Sequence, residues 1–244
     1  MTESLKQLVE KAYNKNNRKV HIVGHSMGCS FTYQFLTRYV SQEWKDKYIA
    51  SIILTSPPLG GSLEALAHLC SPHKWGSIPI PASIIHPLAI NLGAIHWMLP
   101  NKNAYDESYE LMTITHNNQT VSLNVNNISY AFSSTNRTKY EKAVLQTQAN
   151  VNHFEPPRVP VHIIYSYNVS TTHHLAYAST KKDNWWDIDA EKINGDGDGT
   201  VPIESLRGLY FFFLVEFSFS KVFHYFCFIL YSILFYSLSF FISL

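Results

Sequence analysis

A short apolar run, Lys19-Val20-His21-Ile22-Val23, leads into Gly24-His25-Ser26-Met27-Gly28, and a helix-like stretch from Cys29 to Tyr39 follows at once. Strand, G-x-S-x-G turn and helix, in that order, describe a nucleophile elbow, in which a strained turn lifts one serine hydroxyl above the end of a sheet. The pentapeptide alone also fits an ordinary turn. Its neighbours add weight, because a second apolar run, Ile49 to Leu54, supplies the further strand that such a turn requires. Ser26 is therefore the candidate nucleophile, and the expected fold class is α/β.

Upstream of the elbow, Leu5, Leu8, Val9 and Ala12 recur at helical spacing between charged residues, which predicts an amphipathic helix over residues 2–15. Pro57-Pro58-Leu59-Gly60-Gly61 closes the second strand in a tight loop. Residues 62–157 are irregular and rich in His, Pro, Asn and aromatics, and read as a long insertion between core strands. Val159 to Tyr165 resumes a strand-like run, and Asn194-Gly195-Asp196-Gly197-Asp198-Gly199-Thr200-Val201-Pro202 forms an acidic glycine loop. Composition changes after Gly208: the tail 208–244 holds 11 of the 15 phenylalanines. Residues 222–244 carry no Asp, Glu, Lys or Arg and are long enough to span a bilayer. Low-complexity sequence without a selected structure is the competing reading of that tail.

Several classes are set aside by composition. A formal charge of +1 leaves no electrostatic footprint for nucleic acid. The three cysteines, Cys29, Cys70 and Cys227, show neither a disulfide framework nor C-x-x-C spacing, and no metal or other cofactor is implied. Sequons at Asn118, Asn127, Asn136 and Asn168 are compatible with a lumenal protein, yet residues 1–6 lack the basic and apolar pattern of a signal peptide.

A serine hydroxyl needs a histidine to take its proton and an acid to orient that histidine. On an α/β-hydrolase scaffold these follow in the order Ser, Asp, His, so Ser26 and Asp198 fit the first two places, and the Met27 N–H fits one oxyanion donor. The acid loop also places Asn194, Asp196 and Asp198 at alternate positions, as in a calcium loop. That reading fails at its twelfth position, which is Ser205 instead of Glu. For Asp198 alone, an Asx turn is the plain structural alternative.

These residues together resemble the lecithin:cholesterol acyltransferase family, which includes lysosomal phospholipase A2 and phospholipid:diacylglycerol acyltransferase relatives. The resemblance rests on His25-Ser26-Met27-Gly28-Cys29, Trp44-Lys45-Asp46, Pro58-Leu59-Gly60-Gly61-Ser62, Ile78-Pro79-Ile80, Trp97-Met98 with Pro100, and Gly197-Asp198-Gly199-Thr200-Val201. It is collinear over residues 1–207. It implies a partial α/β-hydrolase fold containing the elbow and acid-loop portions, with a cap-like insertion at about 62–157 and an apolar C-terminal tail. It also implies an acyl-enzyme on Ser26, formed from a phospholipid acyl ester at a membrane or lipoprotein surface, with Asp198 as triad acid. Cys29 resembles the family's free cysteine beside the nucleophile, without a catalytic role. The family implies a lumenal, lysosomal or secreted location.

Departures from the family pattern shape the remaining expectations. Only 25 residues precede Ser26, where the family has a long segment that supplies early strands and an oxyanion donor. A cysteine pair near the acid loop of animal members is missing. The Phe-rich tail stands where a His-containing polar loop is expected, and His224, in an uncharged apolar run, is ill suited as the base. His173-His174 precede the acid and read as surface-loop residues. The chain is thus expected to be a weakly active or inactive fragment, with one sheet edge unpaired. A membrane-tethered, non-catalytic lipid-binding relative and another serine esterase are the alternatives.

Overall fold

The computed structural model describes residues 1–71, 81–116, 118–135, 137–179, 185–208, 216–220 and 240–243. They form two compact units, one of 1–59, 155–168 and 209–244, the other of 60–154 and 169–208.

The first unit is built on a five-stranded sheet. Helix α1 (Thr2–Asn16) buries Leu5, Val9 and Ala12, the stripe that its sequence spacing predicts. It ends at Asn17, whose backbone turns left-handed (φ 49°) and whose N–H caps the Tyr13 carbonyl. Strand β1 (Val20–His25) follows, then the elbow and helix α2 (Met27–Gln34). Over Phe35–Tyr39 the helix widens into a π-helical turn that buries Phe35 and Leu36. Helix α3 (Gln42–Tyr48), capped by the Ser41 hydroxyl, returns the chain to β2 (Ile49–Thr55). Strand β1 pairs in parallel with β2, and β2 with β5 (Val161–Tyr167). This helical crossover between parallel neighbours is the unit from which α/β sheets are made.

Two strands from the tail complete the sheet. Strand β8 (Glu216–Ser220) pairs in parallel with β5, and β9 (Phe240–Ser243) pairs antiparallel with β1, giving the order β8-β5-β2-β1-β9. The sheet edge expected to be unpaired is therefore occupied along His21–Gly24, where β1 pairs with β9. No helix among the described residues is long and apolar enough to cross a membrane. Most of 222–244, the sequence candidate for a span, lies outside the described residues, as do Ile78-Pro79-Ile80, Asn136, His224 and Cys227.

Lys45 shows how the first unit is closed. Its side chain is buried, its Nζ donates to the Pro157 carbonyl at 2.8 Å, and burial followed by the Arg158 charge lowers its pKa. Nearby, Trp44 Nε1 donates to Glu10 Oε1 at 2.8 Å, while its ring meets Phe35 edge-on. The Trp-Lys-Asp run is thus a packing device that joins α1, α3 and the segment entering β5.

The second unit has a mixed sheet, ordered β4-β3-β6-β7. Its members are β3 (Met112–His116), β4 (Gln119–Leu123), β6 (Thr171–Ser179) and β7 (Glu191–Gly195). Strands β3 and β4 form a hairpin, and β3 pairs in parallel with β6. Helices α4 (Leu63–Cys70), α5 (Ala82–Ala89), α6 (Gly93–Trp97), α7 (Tyr130–Ser133) and α8 (Thr138–Val151) accompany the sheet. The irregular appearance of this region in sequence has two physical causes. Helix α4 is short and mostly buried, with Leu63, Leu66 and Leu69 fully so, and only Glu64 and His68 interrupt its apolar run, too few to mark its period. Strand β4 is short and exposed at every residue but Leu123, so the brief alternation Thr120-Val121-Ser122-Leu123 does not mark a buried face. The core joins these α4 leucines to Tyr105, Met112, Phe132, Leu175 and Tyr177. Leu66→Ala should lower the unfolding free energy of this unit by about 2–5 kcal/mol, read from chemical denaturation.

Candidate active site

Ser26 stands between β1 and α2 with φ 50° and ψ −124°, a conformation that a non-glycine residue adopts only under constraint. Two backbone hydrogen bonds hold it. Its N–H donates to the Thr55 carbonyl at the end of β2, at 2.9 Å, and its own carbonyl accepts from the Cys29 N–H, at 2.9 Å. The first of these locks the elbow to the neighbouring parallel strand. The second starts α2, whose opening N–H groups have no preceding helical carbonyl to bond. Met27, immediately after the serine, is 47% exposed, whereas Gly28, Cys29 and Ser30 behind it are buried.

Gly24 permits the tight return of the chain. A Cβ there would lie 3.0 Å from the Gly28 carbonyl oxygen and 3.1 Å from both Cα and N of Cys29, all backbone atoms that cannot swing aside. Cys29 is fully buried, its thiol donates to the Thr55 carbonyl at 3.3 Å, and burial pushes its pKa far up. It is therefore a packed thiol and not a thiolate nucleophile. Cys70, in the second unit, is also buried, and its pKa is pushed up to about 12.

His25 sits beside the nucleophile, and burial lowers its pKa. Its folded-state pKa thus lies below its unfolded value of about 6.5, so its contribution to stability is full above that value and is lost as pH falls towards the folded value.

Asp198 belongs to the second unit, in the loop between β7 and α9 (Ile203–Arg207). It is 5% exposed. Its Oδ1 accepts from the N–H groups of Thr200 at 2.9 Å and Val201 at 2.8 Å, an Asx turn that fixes the carboxylate against its own backbone. The Asx role and a catalytic role are compatible, since one oxygen is held by the turn. Among the described residues, no group of three or more His, Cys, Asp or Glu side chains is placed to hold a metal.

The acid loop is tied to the Gly-Gly-Ser loop. Ser62 Oγ donates to the Thr200 carbonyl at 2.8 Å and accepts from the Glu64 N–H at the start of α4, at 3.2 Å. Gly61 has φ 98°, and a Cβ on it would overlap the Leu99–Pro100 backbone. This explains why glycines precede that serine, a link that the sequence motif contains but that its spacing could not reveal. A second support corrects the surface-loop expectation for the histidine pair: both lie in β6, and the His173 side chain is only 16% exposed. The sequence offers little signal for this strand, because four polar residues, Thr171 to His174, precede the apolar run Leu175 to Ala178 and the pairing is irregular between Thr172 and His174.

A largely parallel α/β sheet whose first strand runs into a strained serine and then a helix defines a member of the α/β-hydrolase-like class. A solved structure, the crystal structure of the Tle4–Tli4 complex, matches with a TM-score of 0.56 over 88% of this chain and 56% of that chain, at 12% identity, and so supports the fold alone. The profile of the lecithin:cholesterol acyltransferase family matches residues 2–153, and this chain belongs to that family. It is 29% identical over 207 residues to the dog lysosomal phospholipase A and acyltransferase, covering 83% of this chain and 47% of the dog protein. Against mouse phosphatidylcholine-sterol acyltransferase it is 28% identical over 206 residues, covering 83% of this chain and 44% of the mouse protein. Against the Arabidopsis lecithin-cholesterol acyltransferase-like 1 it is 28% identical, covering 85% of this chain and 46% of the plant protein. The chain therefore spans about half the length of the curated relatives that it matches.

Two outcomes follow from this geometry. Gly24→Ala should destabilise the first unit by about 1–3 kcal/mol through overpacking against backbone, seen as a lower denaturation midpoint. The thermal midpoint should fall between about pH 7.5 and pH 5.5, and His25→Asn should remove part of that fall.

Proposed function

We propose that Ser26 is the nucleophile of a lipid O-acyltransferase or phospholipase, attacking a phospholipid acyl ester to give an acyl-enzyme. The acyl group then passes to an alcohol or to water. In this reading the Met27 N–H is one oxyanion donor, and Asp198 orients the histidine that takes the serine proton. The observation that carries the reading is the backbone of Ser26, strained at φ 50° between a parallel strand and a helix and bonded to Thr55. Strain of that kind costs about 1–3 kcal/mol and persists where the surrounding structure over-determines it, as at reactive turns.

Charge development supports the same assignment. Attack on an ester carbonyl moves negative charge onto its oxygen, and a helix start offers N–H groups already aimed outward with no reorganisation to supply. A buried carboxylate held by its own loop, like Asp198, can face a histidine with fixed orientation, which stabilises the imidazolium formed during attack. No histidine of the described residues is assigned as the base. Phospholipid substrates are supported by the family membership and the names of its relatives, and a lysosomal, hence lumenal, location by the lysosomal relatives; a membrane or lipoprotein surface is proposed as the place where such lipids are met.

In a full-length protein carrying this sequence, Ser26→Ala should reduce acyl release from phosphatidylcholine vesicles by about 10⁴-fold or more. Undiminished release would overturn the assignment. A serine-directed fluorophosphonate should label Ser26 in the wild type; lipid binding without labelling would favour a non-catalytic lipid-binding relative instead.

A further inference from the structure

The acid loop is gripped by a side chain that comes from neither the loop nor the Gly-Gly-Ser segment. His173 Nε2 lies 2.6 Å from the Asp196 carbonyl oxygen, and Nδ1 lies 2.8 Å from the Tyr109 hydroxyl. A carbonyl can only accept, so Nε2 carries the proton, and in the neutral ring Nδ1 accepts from the Tyr109 O–H. The Asp196 carbonyl receives a second bond from the Ile203 N–H at 3.1 Å, which closes the loop onto α9. The imidazole packs directly on the chain at Gly195, where a Cβ would come within 2.8 Å of the ring.

A carboxylate completes the cluster. Glu204 Oε2, from α9, lies 3.6 Å from His173 Nδ1, is buried, and has no hydrogen-bond partner among the described residues. Tyr109 and Tyr105 face the same space, their rings packed edge to face, and the Tyr105 hydroxyl is likewise buried without a hydrogen-bond partner. Burial and then the Glu204 charge raise the pKa of Tyr109, which keeps its O–H available as a donor. For Tyr105 the causes are burial, then Tyr109, then Glu204.

We propose that His173 is a positioning residue that clamps the backbone two residues before Asp198, with the Tyr109 hydroxyl at Nδ1 holding the ring in the tautomer whose Nε2–H reaches the Asp196 carbonyl. The loop is thereby held from β6 and, through the Ile203 N–H, from α9 together. The consequence for acyl transfer rests on the reading of Asp198 as the triad acid; the clamp itself does not.

Hydrogen exchange of residues 195–203 in the full 244-residue chain tests the proposal, expressed as protection factors. His173→Leu should lower protection by roughly 10-fold, since a lost hydrogen bond and its orphaned partner act together. His173→Gln, which keeps an N–H for the Asp196 carbonyl, should restore most of it. Tyr109→Phe, which retains the ring but no longer fixes the tautomer, should loosen the loop by a smaller factor. Wild-type protection in His173→Leu, or no recovery in His173→Gln, would overturn the clamp; if His173→Leu does not fold, the Gln and Phe variants decide. The acid assignment fails separately, if Asp198→Asn in the full-length protein leaves fluorophosphonate labelling of Ser26 unslowed.

Discussion

The bond from the Ser26 N–H to the Thr55 carbonyl is the constraint on which the first unit turns. Strain at Ser26 costs about 1–3 kcal/mol, whereas one backbone hydrogen bond contributes a net of about 0.5–1.5 kcal/mol. A single bond therefore cannot hold the turn. It succeeds because β1 and β2 are already in register from His21↔Ser51 to His25↔Thr55, which presents the Thr55 carbonyl at the right height. The same carbonyl also accepts from the Cys29 thiol, so one acceptor serves the turn and the first turn of the helix. Sheet register, glycine packing and the buried thiol all act on the position of one hydroxyl.

The second unit solves a comparable problem by different means. Asp198 lies in a loop, where conformational freedom would be costly, and the loop is pinned at three carbonyls: Thr200 by Ser62, Asp196 by His173 and Ile203, and Gly197 by the Val169 N–H. The pins come from three stretches of chain: Ser62, Val169 with His173, and Ile203. A carboxylate fixed this way needs no rigid element of its own, because the neighbouring backbone is ordered before any substrate arrives.

Much of this was legible in the sequence. Periodicity located α1, the elbow strand and β2, since each has one apolar face or a fully buried run. Ser26 and Asp198 stood out because each sits among residues of special backbone need. The second unit was opaque for a definite reason: its parallel neighbours β3 and β6 come from distant stretches, and β6 opens with Thr and His where an apolar face would have been diagnostic. The π-helical turn at Phe35–Tyr39 has no compositional signature to distinguish it from ordinary helix. The tail strands β8 and β9 are drawn from Phe-rich sequence whose length and apolarity equally suggest a membrane span. Hydropathy records burial without recording which partner provides it.

The position of β5 bears on how the chain comes to be folded. Roughly one hundred residues separate it from β2, its neighbour in the sheet. At a synthesis rate of about 5–20 residues per second, β2 waits some 5–20 seconds for that partner. During that interval its apolar edge, Ile52 to Thr55, is an unpaired template for other chains. The His21–Gly24 edge of β1 waits longer still, because its partner β9 follows every other strand described. The order in which the strands are written thus leaves two edges open to other chains until late in synthesis.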